Sequence, residues 1–402
     1  MTNDDAIRTT LLAQVRGLST NAEQRAARSE QQRSLVSSWV EQIRESDLLR
    51  MCVATELGGL EASMATQLAV FEEAAKIDGS LGWCVMIAAI HNAMACGYLP
   101  DEGARELFGA GVMPICAGLI MPSGVARPVE GGYEISGRWG FGSGSRAADW
   151  FVASAIIEGS DRSSGPPAIV HGFVERASVT IEDTWVVSGL RGTGSEHYCV
   201  QRAFVPARRT FAFPHAAPLR GGALFDLPVL AMVAPGHAGA ALGIAARALD
   251  EVVLAAKLRV HPATRHRHSE SATFVRELGR QRARLHAARL AALDGLERAE
   301  RCVRDGRALS TDEWTAVRLA VTYATDVAAD VVTFAYRNAG SSALFDSHPL
   351  QRCLRDIFAA TQHIAATEDA YDFAGRAMTG EVAFDPLLLP RSERSTPTNR
   401  AS

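Results

Sequence analysis

The chain has no surplus of positive charge, and this argues against a nucleic acid partner. Its 402 residues include 41 lysines and arginines against 45 aspartates and glutamates, which gives a formal net charge of -4. Binding to a phosphate backbone requires a broad positive field, so we expect no nucleic acid partner. Hydrophobic residues make up 47% of the chain, enough to build a large core. A chain of this length usually forms two or three packed subdomains.

The spacing of the cysteines excludes the common zinc and disulfide frameworks. The seven cysteines are odd in number, scattered, and nowhere form a Cys-x-x-Cys pair. We therefore expect reduced thiols and no bound metal. The segment Met1–Asp5 is acidic and is not followed by a basic region and an apolar run. This favours a cytoplasmic protein without a secretory signal.

Motifs of several enzyme classes are missing. The sequence contains no Gly-x-Gly-x-x-Gly fingerprint and no P-loop, so a nicotinamide dinucleotide site is not supported. A serine hydrolase built on Ser143 and His363 would lack the Gly-x-Ser-x-Gly elbow. The one long apolar run, from Leu81 to Leu99, carries His91 and Asn92 at its centre. A buried helix explains that run better than a membrane span, so we expect no membrane association.

The hydrophobic pattern divides the chain into three regions and a tail. Residues 1–110 are predicted to form an N-terminal α-helical domain, residues 111–230 a central β-domain, and residues 231–380 a C-terminal α-helical bundle. The polar, proline-containing residues 381–402 are predicted to be a mobile tail. The predicted strands are 112–120, 133–139, 150–157, 169–174 and 198–205.

Four motifs occur in a characteristic order along the chain. The third is Gly-Leu-Arg-Gly-Thr-Gly-Ser at residues 189–195, and the last is Pro-Leu-Gln-Arg-x-x-Arg-Asp-x-x-x-x-x-x-His, which ends at His363. Together the four resemble the acyl-CoA dehydrogenase superfamily. That resemblance implies an α+β fold with an N-terminal helical domain, a central small β-barrel domain and a C-terminal helical bundle. The motif segments are Thr55–Gly59, Cys116–Gly144, Trp185–Pro206 and Ala339–His363.

His363 indicates which branch of the superfamily the chain resembles. In the dehydrogenase branch, a glutamate about two turns after the Arg-Asp pair removes the α-proton of the substrate. Here the corresponding residues are His363 and Ile364. A histidine can deprotonate or orient a phenol or an amine, or can hydrogen-bond a flavin peroxide. The chain therefore resembles the two-component flavin-dependent monooxygenases, and His363 is the main candidate catalytic residue.

The resemblance implies further site residues. Ser143 is expected near flavin N5 or the substrate, and its hydroxyl is a second candidate catalytic group. His91 is expected to face the active site, although a lone histidine on an apolar helix is as readily a core residue. A planar ring with one apolar and one polar end needs a mixture of aromatic and backbone contacts. The expected flavin contacts in the β-domain are Leu119, Met121, Ser123, Trp139, Phe141 and Ser143. Taken alone, Trp139 and Phe141 would be core aromatics of a strand.

A basic loop follows the first helix of the C-terminal region. Arg259 and Arg265 are the two candidates for holding the flavin phosphate, because a guanidinium presents a fork of N–H groups to phosphate oxygens. The histidines of this loop would be poor metal ligands beside so many cations. Gly340 and Ser341 resemble the C-terminal flavin-binding turn of the superfamily.

The resemblance implies an enzyme that receives reduced FMN or FAD from a separate NAD(P)H-dependent flavin reductase. With O2, and by way of a C4a-hydroperoxyflavin, it would hydroxylate a small aromatic or heteroaromatic substrate. A homotetramer, built as a dimer of dimers, is also implied. Three alternatives stay open: an N-oxygenase of an amine or amino sugar, an FAD-dependent acyl-CoA dehydrogenase with Glu368 as base, and a flavin-binding homologue without catalysis. Fold alone does not choose the substrate.

Overall fold

A computed structural model describes residues 3–109, 111–160, 167–213, 216–260, 263 and 265–381. Helical, β and helical regions follow one another in the predicted order. The predicted limits of the three domains stay predictions. The predicted mobile tail, residues 381–402, lies outside the described residues except for Glu381.

The first region is helical, and its fourth and fifth helices are each capped at the N-terminus by a polar side chain. Ser63 Oγ accepts from the backbone N–H of Thr66 at 3.1 Å, and Asp78 Oδ1 accepts from that of Leu81 at 3.0 Å. Such caps satisfy backbone N–H groups that the helix leaves free. The helices are α1 (Asn3–Gly17), α2 (Ala22–Gln32), α3 (Ser37–Glu45), α4 (Met64–Ile77), α5 (Gly79–Tyr98) and α6 (Asp101–Phe108).

The middle region is a seven-stranded sheet in the order β5-β6-β2-β1-β3-β4-β7. Strands β1 and β3 are parallel, and the other neighbouring pairs are antiparallel. The sheet curls on itself, since a side chain at Gly172 on β4 would lie 2.7 Å from Ile135 on β2. The strands are β1 (Cys116–Val129), β2 (Gly132–Gly142), β3 (Trp150–Ile157), β4 (Ile169–Glu175), β5 (Val179–Glu182), β6 (Glu196–Pro206) and β7 (Thr210–Phe213).

The last region packs long helices against the first. Gly243 lets the first of them approach α4 closely, because a Cβ there would lie 2.2 Å from the carbonyl oxygen of Glu72. The helices are α7 (Val229–Leu258), α8 (Ala272–Arg304), α9 (Thr311–Ala339), α10 (Pro349–Ala360) and α11 (Asp369–Met378). Helix α7 contacts α4, α5, α8, α9 and α10, so it joins the two helical regions.

Helix α5 lies at the centre of the molecule. It contacts α4, α7 and α10 as well as strand β1. Both α5 and α7 are long and apolar enough to cross a membrane, but 94% and 78% of their most apolar windows are buried inside the protein. Their apolar character is therefore accounted for by core packing, as predicted for the run from Leu81 to Leu99.

Candidate active site

One stripe of α5 carries a tryptophan and a histidine with a half-buried isoleucine between them. Trp83, Ile87 and His91 are spaced four residues apart and share one face of the helix. Ile87, in the middle, is the single residue of α5 that is not buried. At 1.5 Å per residue, the stripe from Trp83 to His91 is about 12 Å long. The elements around this stripe hold the predicted catalytic side chains.

His363 lies after α10, whereas the sequence pattern placed it on that helix. The helix ends at Ala360, because the following N–H groups bond three residues back: Gln362 to Ala359 and His363 to Ala360, both at 3.2 Å. His363 then begins a short 3-10 turn. Its Nδ1 accepts from the backbone N–H of Ala365 at 3.1 Å. The ring is thus fixed by its own backbone.

The His363 ring packs against a second histidine that sequence analysis did not select. His237, on α7, has its ring centroid 3.9 Å from that of His363, with 32° between the ring planes. The ring of Trp83 approaches both, with its centroid 5.2 Å from that of His237 and 5.7 Å from that of His363. Three segments distant in sequence therefore converge on one aromatic cluster.

Burial keeps both histidines of this pair neutral. It lowers the pKa of His363 to about 4. Burial, together with the charge that His363 would carry, lowers the pKa of His237 well below its usual range. Because Nδ1 of His363 accepts a backbone N–H, the single proton of its neutral ring lies on Nε2. His363 therefore offers a hydrogen bond donor at neutral pH.

His91 offers a hydrogen bond acceptor, whereas His363 offers a donor. Its Nδ1 donates to the carbonyl oxygen of Ile87 at 2.8 Å, so the neutral ring has a bare Nε2. This nitrogen is buried and has no hydrogen bond partner among the described residues. Burial lowers the pKa of His91 to about 4. The site thus combines a donor at His363 with an acceptor at His91, at opposite ends of the stripe on α5.

His171 is a further buried histidine, which lies on β4 and was not marked by any motif. Ser154 donates to the carbonyl oxygen of Leu119 at 3.2 Å, so His171 Nδ1 must donate to Ser154 Oγ, 2.7 Å away. Nε2 of His171 is then bare, and it also lacks a partner among the described residues. Burial and the nearby His91 lower the pKa of His171 to about 3.

Ser143 ends a chain of three hydroxyl groups. Its Oγ is 2.7 Å from Ser195 Oγ, which is 2.7 Å from Thr193 Oγ1. The Thr193 hydroxyl donates to the carbonyl oxygen of Leu190 at 2.8 Å. The Gly-Leu-Arg-Gly-Thr-Gly-Ser motif was expected to be structural, yet it supplies both partners of Ser143. The thiol of Cys84 is 3.7 Å from the Thr193 carbonyl oxygen, so the chain lies against α5.

The backbone of β1 opens where flavin contacts were predicted. Pairing with β3 stops at Leu119 and resumes at Gly124, where pairing with β2 begins, so residues 120–123 have no strand partner. Met121 and Ser123 are exposed in this segment. Its backbone groups are outside the ladder and suit the polar edge of a planar ring. Both backbone groups of Leu119, in contrast, are already bonded to side chains of the sheet interior.

The two aromatic residues predicted to contact flavin differ in exposure. Trp139 is fully buried, packs against Gly124 and Gly137, and donates from Nε1 to the Ser154 carbonyl oxygen at 2.8 Å. This placement favours the core alternative for Trp139. Phe141 is 62% exposed and has a φ of 57°, a strained conformation for a bulky residue. Of these two aromatic residues, Phe141 is the one with an exposed ring.

Arg259 and Gly340 meet at the end of α7. The guanidinium donates to the Asn338 carbonyl oxygen at 3.3 Å, and a Cβ at Gly340 would lie 3.3 Å from its Nε. Gly340 has a φ of 87°, so glycine allows this close approach. No carboxylate of the described residues pairs with Arg259, which leaves its fork available to an anion. Ser341 is exposed beside Gly340, and Arg265 is exposed on the loop after α7.

The arginine group and the histidine pair are far apart in one protomer. From His237, near the start of α7, to Arg259, at its end, there are 22 residues (259 minus 237). At the helical rise this is about 33 Å. The five-carbon ribityl chain of a flavin cannot span that distance, so Arg259 and His363 of the same chain cannot hold one FMN molecule.

Two family models match this chain, and two relatives are similar to it over most of its length. The chain matches the family models "Acyl-CoA dehydrogenase, N-terminal domain" over residues 8–117 and "Acyl-CoA dehydrogenase, C-terminal domain" over residues 235–368. It is 29% identical to the indole-3-acetate monooxygenase of Pseudomonas putida, covering 88% of this chain and 89% of that protein. It is 26% identical to the oxygenase component of the FADH(2)-dependent resorcinol hydroxylase of a Rhizobium species, covering 92% and 94%.

One solved structure has a fold similar to that of this chain. XiaF from a Streptomyces species, in complex with FADH2 and glycerol, superimposes with a TM-score of 0.87 at 26% identity, covering 97% of this chain and 98% of that one. The fold predicted from the sequence is confirmed by these matches.

Proposed function

Because the chain belongs to the acyl-CoA dehydrogenase superfamily, we propose that it acts in the monooxygenase branch, using reduced flavin and O2 to hydroxylate a small aromatic or heteroaromatic compound. The observation that carries this proposal is the neutral pair of His237 and His363, at the position where a dehydrogenase needs a carboxylate base. Glu368, the alternative base, is exposed in the protomer. A neutral pair of histidines that bonds to no carboxylate of the described residues suits oxygen transfer better than removal of a carbon-bound proton.

His363 is the hydrogen bond donor of this site. Its Nε2–H would hold an oxygen atom of the reacting groups in place, which is an orienting role and not that of a base. Deprotonation of a substrate by Nε2 is disfavoured, since that nitrogen already carries the proton. His237 and Trp83 pack against the ring and shield part of it from water.

His91 is the hydrogen bond acceptor. Its bare Nε2 suits the O–H of a phenol or the N–H of an indole, and it would hold that group beside the apolar surface at Ile87. This polarity favours a planar substrate with one donor over an amino sugar with many polar groups. The relatives named for indole-3-acetate and for resorcinol act on rings that carry such a donor. A ring with O–H or N–H is thus the proposed substrate class.

The described residues fit a flavin in two separate places. The segment 120–123, Phe141 and Ser143 suit the ring system, and Arg259 with Gly340 suits the phosphate of reduced FMN or FAD. Since about 33 Å separates the two groups within a protomer, the phosphate group of one copy would complete the ring site of another. This supports assembly of at least two copies, and the homotetramer built as a dimer of dimers stays an expectation from the resemblance.

Bound reduced flavin would supply the two electrons that activate O2, so that one oxygen atom enters the substrate and the other leaves as water. The chain has no nicotinamide motif, and its Rhizobium relative is named as an oxygenase component. Both observations support a separate NAD(P)H-dependent flavin reductase as partner.

Stopped-flow absorbance tests the proposal. The protein is mixed anaerobically with reduced FMN or FAD and then with oxygenated buffer, with and without a phenol or an indole. A transient oxygen adduct of the flavin, followed by hydroxylated product, is the expected result. Immediate return of oxidised flavin, with substrate present as well as without it, would overturn the proposal.

Each of the three alternative functions predicts a different result in such measurements. An acyl-CoA dehydrogenase would hold FAD tightly and would be reduced by an acyl-CoA under anaerobic conditions. An N-oxygenase would give product from amines or amino sugars and none from phenols or indoles. A flavin-binding homologue without catalysis would show the same flavin oxidation in the wild type and in His363→Leu.

A further inference from the structure

Asp356, the aspartate of the Arg-Asp pair on α10, is a buried carboxyl group without an ion pair among the described residues. It is 2% exposed, and its Oδ1 accepts the backbone N–H of Leu190 at 2.6 Å. The arginines beside it bind another carboxylate: Arg352 pairs with Glu30 at 3.3 Å, and Arg355 pairs with Glu30 at 2.7 Å. A buried carboxylate that lacks a cation is costly, and uptake of a proton relieves that cost.

A second buried carboxyl group, that of Asp78, lies next to Asp356 at the start of α5. Its Oδ1 caps the helix at Leu81, and its Oδ2 has no hydrogen bond partner among the described residues. Oδ2 of Asp356 is 2.8 Å from the position that a Cβ on Gly79 would take, so it lies against the residue that follows Asp78. Both aspartates line one small cavity between α4, α5, α7 and α10. Like charges repel in this buried setting, which favours a proton on one of the two carboxyl groups.

The surrounding charges favour the proton on Asp356. Arg352 Nη1 is 3.7 Å from Asp78 Oδ2, so this cation opposes the rise that burial causes in the pKa of Asp78. Burial, and next the charge of Asp78, raise the pKa of Asp356 to about 7. Asp356 therefore gains and loses its proton near neutral pH, well above the usual range of an aspartate. The other titratable and charged groups that face the two aspartates are Glu23 and Glu30 on α2, Cys84 on α5, Arg247 on α7, and Cys353 and Arg355 on α10.

The carboxyl group of Asp356 joins α10 to the Gly-Leu-Arg-Gly-Thr-Gly-Ser motif. Its bond to Leu190 is the centre of this contact. On one side of it, Arg355 donates to the Ser188 carbonyl oxygen at 2.8 Å. On the other, the motif backbone touches α10 directly, since a Cβ at Gly189 would lie 1.9 Å from the Arg355 carbonyl oxygen. We call this contact the α10 joint.

Both sides of the α10 joint lead to the candidate active site. The motif supplies Ser195, whose Oγ is 2.7 Å from Ser143 Oγ. Helix α10 leads into the turn that begins at His363. Movement at the joint would therefore displace the partner of Ser143 and the turn of His363 together.

We infer that Asp356 is a positioning residue that holds the α10 joint as a neutral carboxylic acid, and that the loss of its proton loosens the joint. Below pH 7 the neutral group accepts from Leu190 without repelling Asp78. The stabilising contribution of the proton is lost as the pH rises through about 7, because two buried carboxylates then repel each other. The effect on the site rests on the proposed function, whereas the protonation of Asp356 does not.

Two variants of Asp356 separate its charge from its hydrogen bond. Asp356→Asn imitates the neutral acid, because the amide oxygen can still accept from Leu190 and the side chain has no charge at any pH. Asp356→Ala removes the acceptor as well. Asp372→Asn is the matched control, since Asp372 is an exposed aspartate on α11.

Infrared spectroscopy tests the protonation on the wild type itself. At pH 6 we expect the carbonyl band of a carboxylic acid, shifted in D2O, because carboxyl groups with ordinary pKa values are ionised at that pH. The band should be lost at pH 9. It should be absent from Asp356→Asn at both pH values and present in Asp372→Asn.

Equilibrium titration with anaerobically reduced FMN at pH 6.5 and pH 8.5 tests the positioning role. The dissociation constant of the wild type, relative to that of Asp356→Asn at the same pH, should rise about tenfold between the two values, because most of Asp356 loses its proton over this range. Asp356→Ala should bind more weakly than Asp356→Asn at both pH values. Asp372→Asn should follow the wild type.

Three results would overturn the inference, and they are distinguishable. The absence of a carboxylic acid band from the wild type at pH 6, or its persistence in Asp356→Asn, would show that Asp356 is not the neutral acid. The same pH dependence of binding in wild type and Asp356→Asn would remove the positioning role, although the protein still binds flavin. A wild type that binds no reduced flavin at either pH would overturn the proposed function and the positioning role with it, while the infrared band would remain.

Discussion

Replacement of His91 by glutamine should reduce the acid sensitivity of the protein. In the unfolded chain a histidine has a pKa near 6.5, whereas burial lowers the pKa of folded His91 to about 4. Between these values the unfolded state binds more protons, so the free energy of unfolding decreases as the pH falls. From pH 7 to pH 5 this one residue costs the wild type about 2 kcal/mol, and the glutamine variant is spared that loss.

Other buried groups titrate in the same window, but they remain in both proteins. The lowered pKa values of His171, His237 and His363 act in the same direction as that of His91. Asp356 acts in the opposite direction, because burial and then the neighbouring carboxylate of Asp78 raise its pKa to about 7. Protonation of Asp356 adds stability as the pH falls from 7. The comparison of variant with wild type removes these contributions, except for the part of the His171 shift that is caused by His91.

The assay is urea unfolding of flavin-free protein at pH 7 and pH 5, followed by tryptophan fluorescence at one protomer concentration. His286→Gln is the matched control, since His286 is exposed on α8 and has solvent around it in both states. The control should lose as much stability as the wild type on acidification. Equal losses in His91→Gln and wild type would refute the reasoning that burial keeps His91 neutral.

Three further predictions concern catalysis, flavin binding and stability. His363→Leu should lower the rate of product formation about 100-fold while reduced flavin still binds, because a hydrogen bond donor to the reacting oxygen is lost; an unchanged rate in single-turnover assays would remove His363 from the chemistry. Arg259→Ala should weaken binding of reduced FMN by about tenfold or more, and Arg265→Ala by less; the reverse order in equilibrium titrations would assign the phosphate to Arg265. Gly189→Ala should destabilise the fold by about 3 kcal/mol or more, since a Cβ would lie 1.9 Å from a backbone carbonyl oxygen of α10. Its control is Gly279→Ala, in open space on α8, which should be neutral or stabilising by up to about 1 kcal/mol. Equal unfolding midpoints for the two variants would contradict this prediction.

Much of the fold could be predicted from the sequence, and the misses have local causes. The helical spacing and the order of the motifs indicated the three regions. Strands β5 and β7 were not predicted, because each has only four residues, too few for an alternating pattern to stand out. Helix α7 begins at Val229 and continues through Pro235, a residue type that more often ends or kinks a helix. The end of α10 before His363 depends on a tightened last turn that has no residue signature.

The candidate site was predicted less completely. His363, Ser143 and His91 were selected because motifs or a polar residue in an apolar run marked them. His237 carried the same kind of signal as His91, a histidine in an apolar helix, and could have been considered on that ground. Thr193 was in view but was assigned to turn geometry. Nothing in the local sequence of His171 distinguished it from other residues of a strand.

By itself, the sequence determined the order of helical and β regions, the superfamily, and the residue types available for chemistry, because periodicity and motif spacing are properties of the chain in one dimension. Only the tertiary structure decided that His237 packs on His363, that backbone groups engage Nδ1 of His363 as acceptor and Nδ1 of His91 as donor, and that the hydroxyl group of Ser143 meets that of Ser195. The physical reason is that a proton's position depends on the partners on every side of a group. Those partners come from α5, α7, the turn after α10 and the sheet, which meet only when the chain has folded.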